Sequence, residues 1–145
     1  MKVTIIEDPN IKEMELSVVC AKITNEINEI VSKISAIGQT VAGKKDEETF
    51  LIPIKKIFYF ESVDGKIFFY TENELYEATA KLYQIEESLK HLQFARISKT
   101  VIANLDKMLS IRKAENSRLV ATLVNQEKLV VSRQYVSEIK EKLGV

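Results

Sequence analysis

Residues 89–145 carry eleven Lys and Arg against five Asp and Glu, a net of +6. Six of these cations, Arg96, Lys99, Arg112, Lys113, Arg118 and Arg133, fall at the ends of strand-like segments or in the turns between them. Guanidinium and ammonium groups bind phosphate oxygens, and Arg can also read guanine O6 and N7 through two parallel hydrogen bonds. Turns project such side chains beyond a sheet, as a protein must to reach phosphates and groove edges. One turn arginine by itself reads as solvated surface; several near one edge would point to a polyanion site, and the sequence alone does not place them on one edge. Residues 1–88 have the opposite balance, ten Lys and Arg against sixteen Asp and Glu, a net of −6. This polarity has two readings. Either a basic surface is directed at a polyanion, or the two halves pack together and their charges intermingle.

Catalytic chemistry is poorly supplied. His91 is the only histidine, and no Ser or Cys has nucleophile-elbow spacing. With four glycines, the chain has neither a phosphate-cradling loop nor a dinucleotide fingerprint, so no cofactor is expected. Cys20 is the one cysteine, which rules out an internal disulfide and a metal site of three or four His/Cys ligands, though not a carboxylate site. Its apolar strand-like context predicts a buried, inert thiol, and His91 reads as a capping or surface residue. The pairs Glu47-Glu48 and Glu86-Glu87 read as solvated surface. Ile5-Ile6-Glu7-Asp8 resembles the acidic strand end of a phosphoacceptor receiver. That fold needs far more chain than precedes the β-rich block, and a second strand ending in Asp, which is missing. The expectation is a protein that is not an enzyme.

The elements that must position the cations follow from the pattern. At 145 residues, 46% hydrophobic and 29% charged, the chain suits one domain, or one domain with a small appendage. No apolar run reaches the ~18 residues of a membrane span, and the N-terminus lacks a secretory apolar core. With the single cysteine, this predicts a cytoplasmic protein. Segments 2–6 and 15–20 read as strands. Thr24 reads as the N-cap of a helix to about Ile37, with Ile27, Ile30, Val31, Ile34 and Ile37 on one stripe and Gly38 ending it. The polar stretch 38–49 reads as a hinge or loop and marks the domain boundary. Beyond Phe50 the chain turns into short strands with turns at Asp64-Gly65, 72–74, 114–117 and 125–127. Thr79 is a candidate cap for a helix carrying Leu82, Ile85 and Leu89, and 132–143 reads as a closing helix before Gly144. Turns this short force antiparallel pairing. The predicted class is mainly β, α+β overall, with a small ββα segment in front.

Three separated blocks carry a resemblance. Ile54 to Ser62 includes Phe60-Glu61-Ser62; Phe94-Ala95-Arg96-Ile97-Ser98-Lys99-Thr100-Val101-Ile102-Ala103-Asn104-Leu105 has an aromatic, Arg, Ser/Thr, an apolar pair and Asn in order; Val130-Val131-Ser132-Arg133-Gln134-Tyr135 closes the chain with a Ser-Arg pair before a helix. From Phe50 to Gly144 the chain thus resembles the LytTR DNA-binding domain of bacterial transcription regulators. It lacks the His or Asn common near Ser98 and Lys99 in that family, and Ala95 replaces one of the usual aromatic pair. The resemblance implies an elongated antiparallel β domain that reads successive major grooves of double-stranded DNA with loops. It implies DNA contacts at Lys66 in the first hairpin loop, at Ser98, Lys99 and Thr100, at Arg118, and at Arg133, the expected base reader. Arg96 has two readings, a phosphate contact or a partner for a carboxylate across the sheet.

The division is then 1-48, a small ββα segment, and 49-145, the LytTR-like domain. Residues 1–48 are too few for a receiver, so the resemblance implies a stand-alone regulator. The apolar helix face must be buried on the domain itself or on a second subunit, the latter giving a homodimer on promoter repeats. Stand-alone members also imply a functional link to a membrane protein of the same operon. The rival to a DNA-binding regulator is a protein-interaction module that keeps the fold without binding DNA.

Overall fold

The computed structural model describes residues 1–145. Ten strands form two antiparallel sheets. The larger contains β1 (Thr40–Lys45), β2 (Glu48–Pro53), β3 (Tyr59–Val63), β4 (Lys66–Tyr70), β5 (Leu75–Ala78), β6 (Phe94–Arg96) and β7 (Val101–Asn104), in the order β2-β1-β5-β4-β3-β7-β6. The smaller contains β8 (Met108–Lys113), β9 (Leu119–Leu123) and β10 (Lys128–Val131), in the order β10-β9-β8. Three helices accompany them: α1 (Asn25–Ser35), α2 (Leu82–Leu89) and α3 (Val136–Leu143). The expected mainly β, antiparallel architecture is present. No helix is long and apolar enough to cross a membrane.

The large sheet is buried on both faces at its centre. Along β3, Phe60 enters a core with Phe69, Ile102 and the α2 residues Leu82, Ile85 and Leu89. Its neighbour Tyr59 points the other way, into a core with Ala103, Leu119, Leu123, Val131 and the α3 residue Ile139. Successive strand residues face opposite sides, so the adjacent apolar pair Tyr59-Phe60 fits a strand covered on both faces. The β3–β4 turn has positive φ at both central residues, Asp64 (50°) and Gly65 (78°), the geometry that matches strand twist in a two-residue hairpin.

Several expectations need correction. The stretch 38–49 is not a loop. Thr40–Lys45 and Glu48–Pro53 pair as a hairpin, and β1 also pairs with β5 through Gly43↔Ala78 and Lys44↔Glu77. Gly43 permits this, because a Cβ there would lie 2.5 Å from the Phe69 ring and 2.7 Å from Tyr76 Cβ. The ββα reading of the N-terminal segment keeps only its helix. Residues 1–23 contain no helix or strand, and their side chains, Cys20 included, are exposed. A strand is stable only when its N–H and C=O groups find a partner edge, and these two segments have none within the chain. The α2 cap is Lys81 instead of Thr79.

Helix α1 starts as expected, with the Thr24 hydroxyl accepting from Ile27 N–H at 3.3 Å. Ser32 is buried, and Ile27, Ile30, Ile34 and Ala36 are half-buried, with Ala36 packed on the core; beside them lies a 460 Å³ cavity lined by Ile54, Leu92 and Phe94. Asp106 lies in this joint, where burial and Glu29 push its carboxyl above the ordinary range while Lys33 opposes the shift. Val31 and Ile37, expected on the buried stripe, are exposed.

Candidate nucleic-acid interface

Hydrogen bonds tie the cation-bearing loops into one rim. Lys66 opens β4 opposite Val63, directly after the Asp64-Gly65 turn, so it belongs to the strand instead of the loop. One residue before Val63, Ser62 N–H donates to Thr100 C=O at 2.8 Å, fixing the 97–100 loop beside that hairpin. Within this loop Ile97 N–H donates to Val101 C=O at 3.0 Å, and Thr100 N–H donates to the Ser98 hydroxyl at 3.2 Å. Ile97 C=O in turn accepts from Ser132 N–H at 2.8 Å, which brings the start of the final helical segment, with Arg133, to the same place. Buried Leu119 pairs with Val131, so Arg118 sits one step beyond, at the sheet end from which Ser132 and Arg133 depart.

Two depressions share this rim. One, of 630 Å³, has Lys66, Arg96 and Lys99 in its wall; the other, of 400 Å³, is lined by Ser98, Lys99, Thr100, Ser132, Arg133 and Gln134. Lys99 belongs to both and joins them. Six of the seven residues singled out in the sequence thus come together. Arg118 lines neither depression and stands at the neighbouring sheet end. There its Nε donates to Glu115 C=O at 3.1 Å, across a turn with left-handed Asn116 and Ser117.

The cations differ in availability. The structure's ion pairs are Lys45–Glu74, Lys90–Glu87, Arg96–Glu86 and Lys142–Glu138. Lys66, Lys99, Arg118 and Arg133 are exposed and in none of them. Arg96 is different. Its Nε donates to Glu86 at 2.9 Å and its Nη1 to Lys99 C=O at 2.7 Å, and its side chain is 17% exposed. Of its two readings, the carboxylate partner is observed, supplied by helix α2 and not by a neighbouring strand. Sequence reasoning missed Glu86, because a Glu-Glu pair on a helix looks solvated; its place one residue after buried Ile85 was the available signal.

Asn104 closes the diagnostic string for a structural reason. It is buried, its side-chain amide donates to Ile57 C=O at 2.8 Å, and its Oδ1 accepts from Asp106 N–H at 3.0 Å. The string therefore combines a solvent-facing loop with the bonds that hold it.

Comparison with known proteins identifies the family and the fold. The family model of the LytTr DNA-binding domain matches residues 47–144. A sensory transduction protein LytT of Enterococcus faecalis is 25% identical over 138 residues, covering 92% of this chain and 57% of its own length. This chain therefore spans a little over half of that relative. An uncharacterised HTH-type transcriptional regulator of Staphylococcus aureus is 23% identical over 147 residues, covering 100% of this chain and 99% of its own. Among solved structures, the LytTr DNA-binding domain of a Bacillus cereus response regulator superposes with a TM-score of 0.70 at 24% identity, covering 74% of this chain and 98% of that one. With the family model spanning most of its length, the chain belongs to the LytTR DNA-binding domain family.

Proposed function

We propose that this protein is a cytoplasmic transcription regulator that binds duplex DNA sequence-specifically, placing Lys66, Lys99, Arg118 and Arg133 in successive major grooves. The observation that carries the reading is a set of exposed cations outside every ion pair, with Lys66, Lys99 and Arg133 along two depressions joined at Lys99 and Arg118 at the neighbouring sheet end, on loops fixed by backbone hydrogen bonds. Arg133 is the base reader, because a guanidinium can engage guanine with two bonds, worth about 1–3 kcal/mol of discrimination. Lys66 and Lys99 bind phosphate, with Ser98 and Thr100 as short polar contacts beside them. Arg96 holds Lys99 in place from behind. The segment ahead of β1, residues 1–39, acts as a dimerisation element, a role supported by the exposed side chains of Ile5, Val19, Val31 and Ile37. Two copies would then bind half-sites about 10 base pairs apart or at multiples of that spacing.

A mobility-shift titration with the duplex upstream of the protein's own reading frame tests the proposal. Binding at least about a thousandfold tighter than to a shuffled duplex supports it. Equal affinity for the two duplexes overturns sequence-specific recognition.

A further inference from the structure

We infer that Lys44 and Lys81 extend the duplex-contacting surface as phosphate ligands, in the cleft that runs back from Lys99. The 630 Å³ cleft is bounded by the β3–β4 hairpin end, the connection from β5 into α2, and the Arg96–Lys99 segment. Its wall holds Lys44, Lys66, Lys81, Arg96 and Lys99 against one carboxylate, Glu77. Arg96 is taken by Glu86, while the four lysines are exposed and in no ion pair. Even with Glu77 assigned to Lys44, its cross-strand neighbour, three unpaired ammonium groups remain around one concavity. Concave cationic walls of this kind favour a polyanion, because field lines converge between them.

The two added lysines are held by the fold. Lys44 sits on β1, whose pairing with β5 is allowed by the missing side chain at Gly43. Lys81 is the N-cap of α2; its backbone N–H donates to Gln84 Oε1 at 2.9 Å, leaving the ammonium group unpaired. No acid lies in the first turn of α2, so nothing there offsets the positive end of the helix dipole. Lys45, the neighbour of Lys44, is different, because Glu74 occupies it. Lys44 also precedes the stretch 47–144 that matches the family, so that likeness assigns it no role. The cleft joins the groove-facing rim through Lys99, and one duplex backbone can therefore follow both.

This inference rests on the duplex-binding reading, and the test separates the two. The full-length protein and the variants Lys44→Gln/Lys81→Gln, Lys99→Gln and Lys128→Gln are titrated with the upstream duplex and its shuffled counterpart across a salt series. Each phosphate contact contributes about 0.9 to the slope of log K against log salt. The double variant is expected to lose about 2 from the slope, with its preference for the upstream duplex unchanged. Lys128 begins β10 at the far end of the small sheet and should leave the slope unchanged. A wild-type slope in the double variant, with Lys99→Gln lowering it by about one, overturns the inference and leaves the DNA reading standing. An equal loss with Lys128→Gln also overturns it, since the effect would then be one of overall charge. Absence of salt-dependent binding by the wild type would sink the duplex-binding reading itself.

Discussion

At the scale of single residues, exposed cations with no partner and cations held by carboxylates should respond differently to substitution. Arg133→Ala should lose about 1–3 kcal/mol of discrimination between specific and shuffled duplex, read from paired binding curves. Lys99→Ala should weaken both duplexes alike and lower the salt slope by about one. Glu86→Gln should weaken binding without lowering that slope, because the Glu86 carboxylate is paired with Arg96 and acts through the Arg96–Lys99 contact. The blocks around Ser98 to Thr100 and at Ser132-Arg133 stood out in the sequence through their resemblance to the family, and the structure brings the two segments together through the Ser132 N–H to Ile97 C=O bond. The role of Arg96 was not legible there, because its partner comes from a helix ten residues upstream that local pattern reads as solvated surface.

At the scale of elements, Gly43 and Thr24 give opposite kinds of test. Gly43→Ala forces a Cβ against Phe69 and Tyr76 and should cost about 1–3 kcal/mol of global stability, measured by urea unfolding. Thr24→Ala removes one helix cap and should cost about 1 kcal/mol locally. Hydrogen exchange would then show faster opening of α1 with little change in the large sheet. The Asp64-Gly65 hairpin and the helix stops at Gly38 and Gly144 were readable, since those glycines have the positive φ their positions need. The β1–β2 hairpin was not, because its turn uses Asp46 and Glu47 at positive φ inside a charged run. Segments 2–6 and 15–20 misled in the other direction: alternation marks strand propensity, and pairing requires an edge that the chain does not offer them.

At the scale of the whole molecule, the two sheets meet around stacked Tyr59 and Tyr70, whose ring centroids are 4.4 Å apart. Tyr59 donates to Glu127 in the β9–β10 turn at 3.3 Å, and Tyr70 donates to Glu61 at 3.2 Å. Burial, with the facing carboxylates, raises both phenols above their ordinary value. A raised folded-state value means a contribution fully present below the ordinary tyrosine value of about 10 and lost as pH climbs beyond it. Stability should therefore fall above about pH 10, and a Tyr59→Phe/Tyr70→Phe variant should show a shallower decline in thermal melting across that range. On the proposed reading the joint sets the DNA-facing side chains, because Lys66 and Lys99 come from one sheet and Arg118 and Arg133 from the end of the other. Selection from a random duplex library by the full-length protein and by Arg133→Ala tests that shared rim most directly. The wild type should enrich a motif containing guanine that the variant fails to enrich; the same motif from both proteins, or none from the wild type, would contradict it.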